Sequence, residues 1–294
     1  MSDNESSSEH LEVNGAEVMP PDMHTIKEEV INKVFADIIE KYKKSCVALS
    51  LVLDNKLSPI NSCVGGIPYF PKNMKYPQND EGELMVLLAQ INYSEMPHLD
   101  NFPQSGILQF FINPADDYGM ESYKLIYHKD VDEKLQQKLP AKVDKIRKEA
   151  LEESTVPFSA AFKLIGTISE TVYINPDESD QVYEKLALKY SVDKNNLSFE
   201  MSCDDRMTKL LSHYGGNPSI LQCDPREGEN KKKTVPLLEL DSVSYSKDEE
   251  RAKESKDETF KICWGDVGIG MFFIEPDKLK NLDFSDTLYS YDSC

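Results

Sequence analysis

Two stretches of the chain share one pattern. GILQFFIN at 106–113 and GIGMFFIE at 268–275 each place glycine and isoleucine before an aromatic pair and a further isoleucine. Three more blocks recur in the same order. Gly65-Gly66-Ile67-Pro68 returns as Gly215-Gly216-Asn217-Pro218 at an offset of 150, and Leu88-Ala89-Gln90-Ile91-Asn92 returns as Leu237-Leu238-Glu239-Leu240-Asp241 at 149. Ile126-Tyr127-His128-Lys129-Asp130 is answered by Leu288-Tyr289-Ser290-Tyr291-Asp292 at 162, the offset of the aromatic strands. Four ordered blocks with one sizeable gap point to an internal duplication, with convergent strand composition as the alternative. The gap falls where the polar run SKDEERAKESKDE (246–258) lies, and a surface loop tolerates insertion there.

A duplicated β-rich unit implies two halves packed about a pseudo-two-fold axis, and concave sites often lie where such units meet. The rest of the chain fits around them. Residues 1–22 are acidic and Ser-rich without Lys or Arg, and read as a disordered tail. Residues 23–135 form the N-terminal half, a helix followed by the first β-rich copy. Thr25-Ile26-Lys27-Glu28 fits a capping box, and Ile26, Val30, Ile31, Val34, Phe35, Ile38, Ile39 and Tyr42 follow helical spacing. CVALSLVL, LMVLLAQIN and GILQFFIN read as strands, the last apolar on both faces and so central in a sheet.

Residues 136–200 form a helical and mixed connector. In it FKLIGTISETVYI has strand character, and NPDESD opens a helix to about Tyr190 capped by Asn175 or Asp177. Residues 201–294 form the second β-rich copy, entered by a helix DDRMTKLLSHY that ends at Gly215-Gly216. The expected fold is α+β, mainly β and roll-like, with peripheral helices.

Charge narrows the function. A formal net charge of −19 opposes nucleic acid and anionic membrane surfaces, where affinity comes from Lys and Arg, and it suits a basic partner. No apolar run approaches the roughly 20 residues of a membrane span, and MSDNESSSEH is unlike a signal peptide. The expected location is cytoplasmic. The six cysteines form no C-x-x-C pair and read as reduced thiols, most of them small core residues.

The blocks GGIP, LLAQIN, GILQFFI, HYGGNPSILQCD, VPLLELDS and ICWGDVGIGMFFI together resemble the YwqG-like family of bacterial proteins of unknown function. The resemblance covers roughly 45–130 and 200–294, and the stretch Trp264-Gly265-Asp266-Val267-Gly268 is its most specific part. It implies a mainly-β roll with peripheral helices and carries no activity. Tyr76-Pro77 stands where the resemblance leads one to expect Trp-Pro.

Catalytic signatures of phosphate loops, dinucleotide folds, nucleophile elbows and zinc helices are absent from the sequence. Trp264 and Asp266 are the leading candidates: the single Trp for stacking on a ligand, Asp266 for a cation or base, against a purely structural tight turn. Gln222 and Asp224 lie in the neighbouring stretch SILQCDPRE, where Asp224 and Arg226 suit a local ion pair. A Cys223–His213 nucleophilic pair lacks an orienting third group. Gln90 and Glu239, at equivalent positions in the two copies, are candidates to line an inter-copy cleft. Lys231-Lys232-Lys233 reads as a solvated loop.

No metal or cofactor is implied. The expected function is a non-catalytic binding or interaction protein, an acidic, inhibitory or immunity-type partner of a basic protein. The alternative is an enzyme or small-ligand binder with its site between the halves near Trp264 and Asp266.

Overall fold

The computed structural model describes residues 26–293 apart from 55, 73, 209, 210 and 247–259. Its centre is one ten-stranded sheet. Helix α1 (Glu28–Tyr42) leads into β1 (Lys43–Leu53), then β2 (Cys63–Val64), β3 (Val86–Asn92), β4 (Ile107–Ile112) and β5 (Tyr123–His128). Helix α2 (Ala141–Glu152) precedes β6 (Phe162–Val172). Helices α3 (Pro176–Tyr190), α4 (Lys194–Ser202) and α5 (Asp205–Thr208) precede β7 (His213–Gly215) and β8 (Val235–Asp241). A two-stranded ribbon, β9 (Val243–Ser244) with β10 (Phe260–Ile262), leads to β11 (Gly268–Ile274), α6 (Pro276–Lys280) and β12 (Thr287–Ser293).

The strand order is β12-β11-β8-β7-β1-β6-β2-β3-β4-β5, with every pairing antiparallel. Read from either end it meets the same kinds of strand. β12 and β5 carry the tyrosine blocks, β11 and β4 the aromatic-pair blocks, β8 and β3 the leucine blocks, and β7 and β2 run into the double glycines. The two middle strands cross over: β1 pairs with β7 of the later half, and β6 with β2 of the earlier one. β6 therefore sits at the centre of the sheet, not in a connector between halves.

The sheet curls until its edges approach, and side chains rather than a backbone ladder join them. The Tyr123 hydroxyl donates to Thr287 O (2.8 Å), the Tyr289 hydroxyl to Tyr118 O (2.7 Å) and the Tyr291 hydroxyl to Asp117 Oδ2 (2.6 Å). One continuous apolar cluster fills the interior, from Val47, Leu49 and Leu88 to Leu238, Trp264 and Ile274. Phe110 and Phe272, 162 residues apart, meet there edge to face at 4.9 Å. The space between the halves is thus packed core rather than a cleft.

Outside the curl lie three smaller apolar layers. Leu57 and Tyr76 cover Cys63, Met85, Leu87 and Phe111; Ile220 and Leu221 cover Ile269, Met271 and Phe273. Helices α1, α3 and α4 bury Ile31, Val34, Ile38, Ala187, Leu197 and Met201 among themselves. Helix α1 buries residues at spacings of three and four, as its sequence pattern requires.

Several local expectations need correction. Helix α1 begins at Glu28 with Lys27 at the N-cap and no side-chain cap, so Glu28 opens the helix instead of closing a capping box; Thr25, the proposed cap, and the acidic tail lie outside the described residues. The helix expected over DDRMTKLLSHY is a short α5, and His213-Tyr214-Gly215 is a strand. The extended run wins because it gains a partner in β1 and seals His213 and Tyr214 in the interior. Of the five described cysteines Cys46 and Cys63 are buried, Cys203 and Cys223 are exposed and Cys263 is half-buried; all five are free thiols. Lys233 is buried and paired with Asp286 at 2.8 Å, unlike a solvated loop residue. The polar run 246–258 lies almost wholly outside the described residues.

The double-glycine turns are where backbone freedom matters. Gly65 and Gly215 both have positive φ (67° and 70°). A Cβ on Gly65 would stand 2.7 Å from Ala160 O and 2.5 Å from the Phe158 ring. Gly65→Ala is expected to lower the unfolding free energy by about 2 kcal/mol or more through left-handed strain and this clash, measurable by urea titration. A change within a few tenths would contradict that reading.

Candidate functional site

Gln222, Asp224 and Trp264 of the second half gather around β12. Because β12 is an edge strand, one of its flanks is left to the loops of neighbouring strands. Gln222 bonds it directly: its amide donates to Asp292 Oδ2 (2.5 Å) and its side chain to Ser293 O. Gly265 lies against Ser293, where an added Cβ would come within 2.7 Å. Trp264 stacks on Tyr291 with centroids 6.0 Å apart and planes at 25°. Asp224 and Tyr291 line a common hollow of about 330 Å³ with Cys223, Pro225, Glu227 and Asp292. A second hollow of about 720 Å³ adjoins it and shares Cys223, Asp224 and Glu227, so the 223–227 loop forms a ridge between the two.

The ridge is set by local bonds. Asp224 Oδ1 accepts from the Arg226 amide (3.0 Å) and Nε (2.8 Å), and Oδ2 accepts from its Nη2 (2.7 Å), a bidentate pair that fixes the turn. The Arg226 guanidinium holds the Asp224 carboxyl below the usual carboxylate range. The same guanidinium lies 5.1 Å from the Phe273 ring, which anchors the ridge to the sheet. The expected Asp224–Arg226 ion pair is present. Asp266 is exposed at the tip of the Trp264-Gly265-Asp266 turn, where Gly265 takes φ 55°. The Tyr291 hydroxyl is pushed up to about 12, chiefly by burial, with its bond to the Asp117 carboxylate adding.

Trp264 plays a different part from the one expected of a ligand platform. It is 0% exposed, wedged between Tyr118, Tyr289 and Tyr291, and its ring occupies the space that a Cβ on Gly270 would need, 2.3 Å away. Its indole face is covered, so the groups left to meet a partner are the carboxylates around it. Asp224, Glu227 and Asp292 line the hollow beside β12, and Asp266 is exposed on the turn whose Gly265 packs against Ser293, with Arg226 committed to Asp224.

Gln90 and Glu239 lie elsewhere and do not meet. Each is fully buried on the outer side of the curl under its own half's turn. Gln90 Oε1 accepts from the Tyr69 amide (3.1 Å) and from Gln109 Nε2 (2.9 Å). Glu239 accepts from the Ser219 amide (3.0 and 3.3 Å). Tyr69 and Ser219 both directly follow the GGxP turns. Burial pushes Glu239 up to about 7, against the pull of His213 and Arg226, and likewise pushes Asp241 up to about 6. His213 is sealed beside Glu239 (3.6 Å) and bonded to Leu211 O and Asn217 O, whereas Cys223 is exposed; they form no nucleophilic pair.

Glu227, Tyr291 and Asp292 were not singled out by sequence reasoning. Alternation in TLYSYDS could have placed Tyr289 and Tyr291 on one face, but the meeting of β12 with the 222–227 loop spans some 70 residues and leaves no local trace. Among the described residues, no group of three His, Cys, Asp or Glu is placed to hold a metal, and no helix is long and apolar enough to cross a membrane.

The comparisons define a class: a mainly-β protein of a family without an assigned activity. The chain belongs to the family described as "Domain of unknown function (DUF1963)", which matches residues 62–294 and so takes in all strands from β2 to β12. No curated protein matches the chain.

Proposed function

We propose that the protein is a non-catalytic interaction protein that receives a Lys- or Arg-rich segment of a partner at the carboxylates around the end of β12. One observation carries this reading: Asp224, Glu227 and Asp292 line one open hollow, with Asp266 exposed on the turn whose Gly265 packs against Ser293 of β12, while the most strongly perturbed acids, Glu239 and Asp241, are withdrawn into bonds of the fold. A net charge of −19 would speed encounter with a cationic partner, and the local carboxylates would fix where it docks. An inhibitory or immunity-type role, in the cytoplasm, is consistent with this chemistry, as is the YwqG-like resemblance.

We further propose that the two halves arose by duplication. The reversed strand order, the Phe110–Phe272 contact and the matching amide bonds of Gln90 and Glu239 support it. On this reading the two halves diverged in use: the first half closes its turn with an uncharged pair, the second with a charged one beside the acidic hollow.

A fluorescent oligolysine peptide tests the function. Its dissociation constant should rise about tenfold or more between about 50 and 300 mM salt. Glu227→Lys with Asp266→Lys should weaken binding about tenfold at low salt, while Glu152→Lys with Glu153→Lys, on α2, should weaken it far less. Equal losses in the two double variants would mean that net charge alone attracts the peptide, and the assigned site would be wrong.

A further inference from the structure

The two halves build the same turn with different chemistry, and the difference is a charge pair. In the first half Cys63 pairs with Gln90 across β2 and β3; in the second, His213 pairs with Glu239 across β7 and β8 at the equivalent positions. All four side chains are buried, the histidine and the carboxylate at 0% exposure. Both His213 ring nitrogens face carbonyl oxygens, Nδ1 to Leu211 O at 2.7 Å and Nε2 to Asn217 O at 3.0 Å. A carbonyl only accepts, so both contacts are hydrogen bonds only when both nitrogens carry protons. The imidazolium so formed is balanced by the Glu239 carboxylate 3.6 Å away.

This pair holds a hinged segment. Gly215 and Gly216 both have positive φ. Beyond them Asn217 is tied by His213, and its own side-chain amide donates to Tyr42 O (2.7 Å) and Thr171 O (2.9 Å). Ser219 is tied by Glu239, and the chain then runs directly into Gln222, Asp224 and Glu227. We propose that His213 and Glu239 form a proton-operated latch on the 215–227 segment, which closes while the pair shares a proton and loosens when that proton is lost to solvent. Deprotonation turns one ring nitrogen into a lone pair aimed at a carbonyl oxygen and leaves the buried carboxylate without its neighbouring cation.

The surroundings favour release rather than compensation. β1 presents the Cys46 thiol, pushed up to about 11 by burial and by the Glu239 charge, with Glu170 of β6 adding to the negative field. β8 itself adds Asp241, and β11 presents Met271, which is uncharged. Arg226 is the one cation among these neighbours that acts on Glu239, and it is already bound to Asp224. Opening the latch would therefore also disturb the ridge. That consequence for partner binding rests on the function proposed above, whereas the latch itself does not.

The first half supplies the control. Amide exchange, corrected for intrinsic pH dependence, should be followed at Ser219 and at Tyr69, whose equivalent bond goes to uncharged Gln90. Protection at Ser219 should fall about tenfold or more between about pH 6 and 9, as loss of a bond tied to one titration requires. Protection at Tyr69 should stay level. A His213→Cys, Glu239→Gln double variant transplants the first half's pair and should make Ser219 as insensitive to pH as Tyr69. Constant protection at Ser219 in the wild type overturns the latch, as does a parallel fall at Tyr69. If the double variant does not fold, the wild-type comparison of the two amides decides alone. If Ser219 responds while oligolysine fails to bind at any pH, the latch stands and the acidic-hollow reading falls.

Discussion

Trp264→Ala should lower the unfolding free energy by about 3–5 kcal/mol, the largest effect of a single truncation expected in this chain. The side chain is wholly buried and touches three tyrosine rings from the β4–β5 loop and β12. Its removal would leave a void at the seam where the two sheet edges meet, where tyrosine hydroxyls rather than ladder bonds make the closure. Partial collapse is opposed by Gly270, which has no side chain to offer, and by Tyr118, held at φ 50°. The indole Nε1 has no hydrogen-bond partner among the described residues, so the loss is one of packing and not of a polar bond. Urea unfolding of the variant is the measurement. A loss below about 1 kcal/mol would show that the indole is a surface group and would restore it as a ligand platform.

The second large effect is a fall in stability as pH rises from about 5 to 8. Glu239 stands near 7 and Asp241 near 6 in the folded chain, against ordinary values of 4.5 and 3.8. For Asp241 the protonated form is the one the fold favours, and Glu239 titrates with His213 as one pair that the fold favours while it holds its proton. Each contribution is full below the unfolded value and is lost as pH climbs through the folded value. Each group contributes about 3 kcal/mol at most over that interval. Increasing self-repulsion in a chain of net charge −19 acts in the same direction.

Carboxyls lowered by cationic partners, such as Asp224 beside Arg226, act oppositely, but their stabilisation is lost only as pH falls below the ordinary carboxylate range. The optimum should therefore lie on the acidic side of neutrality. Urea titrations at about pH 5, 6.5 and 8 would show it, and Glu239→Gln with Asp241→Asn should flatten the profile. Stability that rises from pH 5 to 8 would contradict the desolvation of buried Glu239 and half-buried Asp241.

Much of this architecture was legible before any coordinates. Helix α1 announced itself by 3–4 spacing, and α3 by its Asn175 cap, whose Oδ1 accepts from the Asp177 amide at 3.0 Å. β4 was recognisable as a strand paired on both flanks because both of its faces are apolar, and it is buried throughout, although it lies next to the edge strand β5 and not at the centre of the sheet. The recurrent blocks were legible because side-chain alternation and turn chemistry are local, and in the fold they occupy matching places counted from the two ends of the sheet.

What local signals could not carry is which strand lies beside which. DDRMTKLLSHY has enough helix formers to suggest a helix, yet His213–Gly215 extends because β1 waits beside it, a strand more than 150 residues earlier. The crossing of β1 and β6 in the middle of the sheet, the burial of Trp264 beneath Tyr291, and the gathering of Asp224, Glu227 and Asp292 at one hollow all depend on such pairings. So does the pairing of His213 with Glu239, 3.6 Å apart, whose surroundings in sequence give no hint that each would be sealed from water with the other as its neighbour. Local patterning thus carries most of the elements and the sign of the net charge. Where the exposed carboxylates gather and which acids are withdrawn from water follow from the assembled fold, because both are settled by non-local strand pairing and the solvent it excludes.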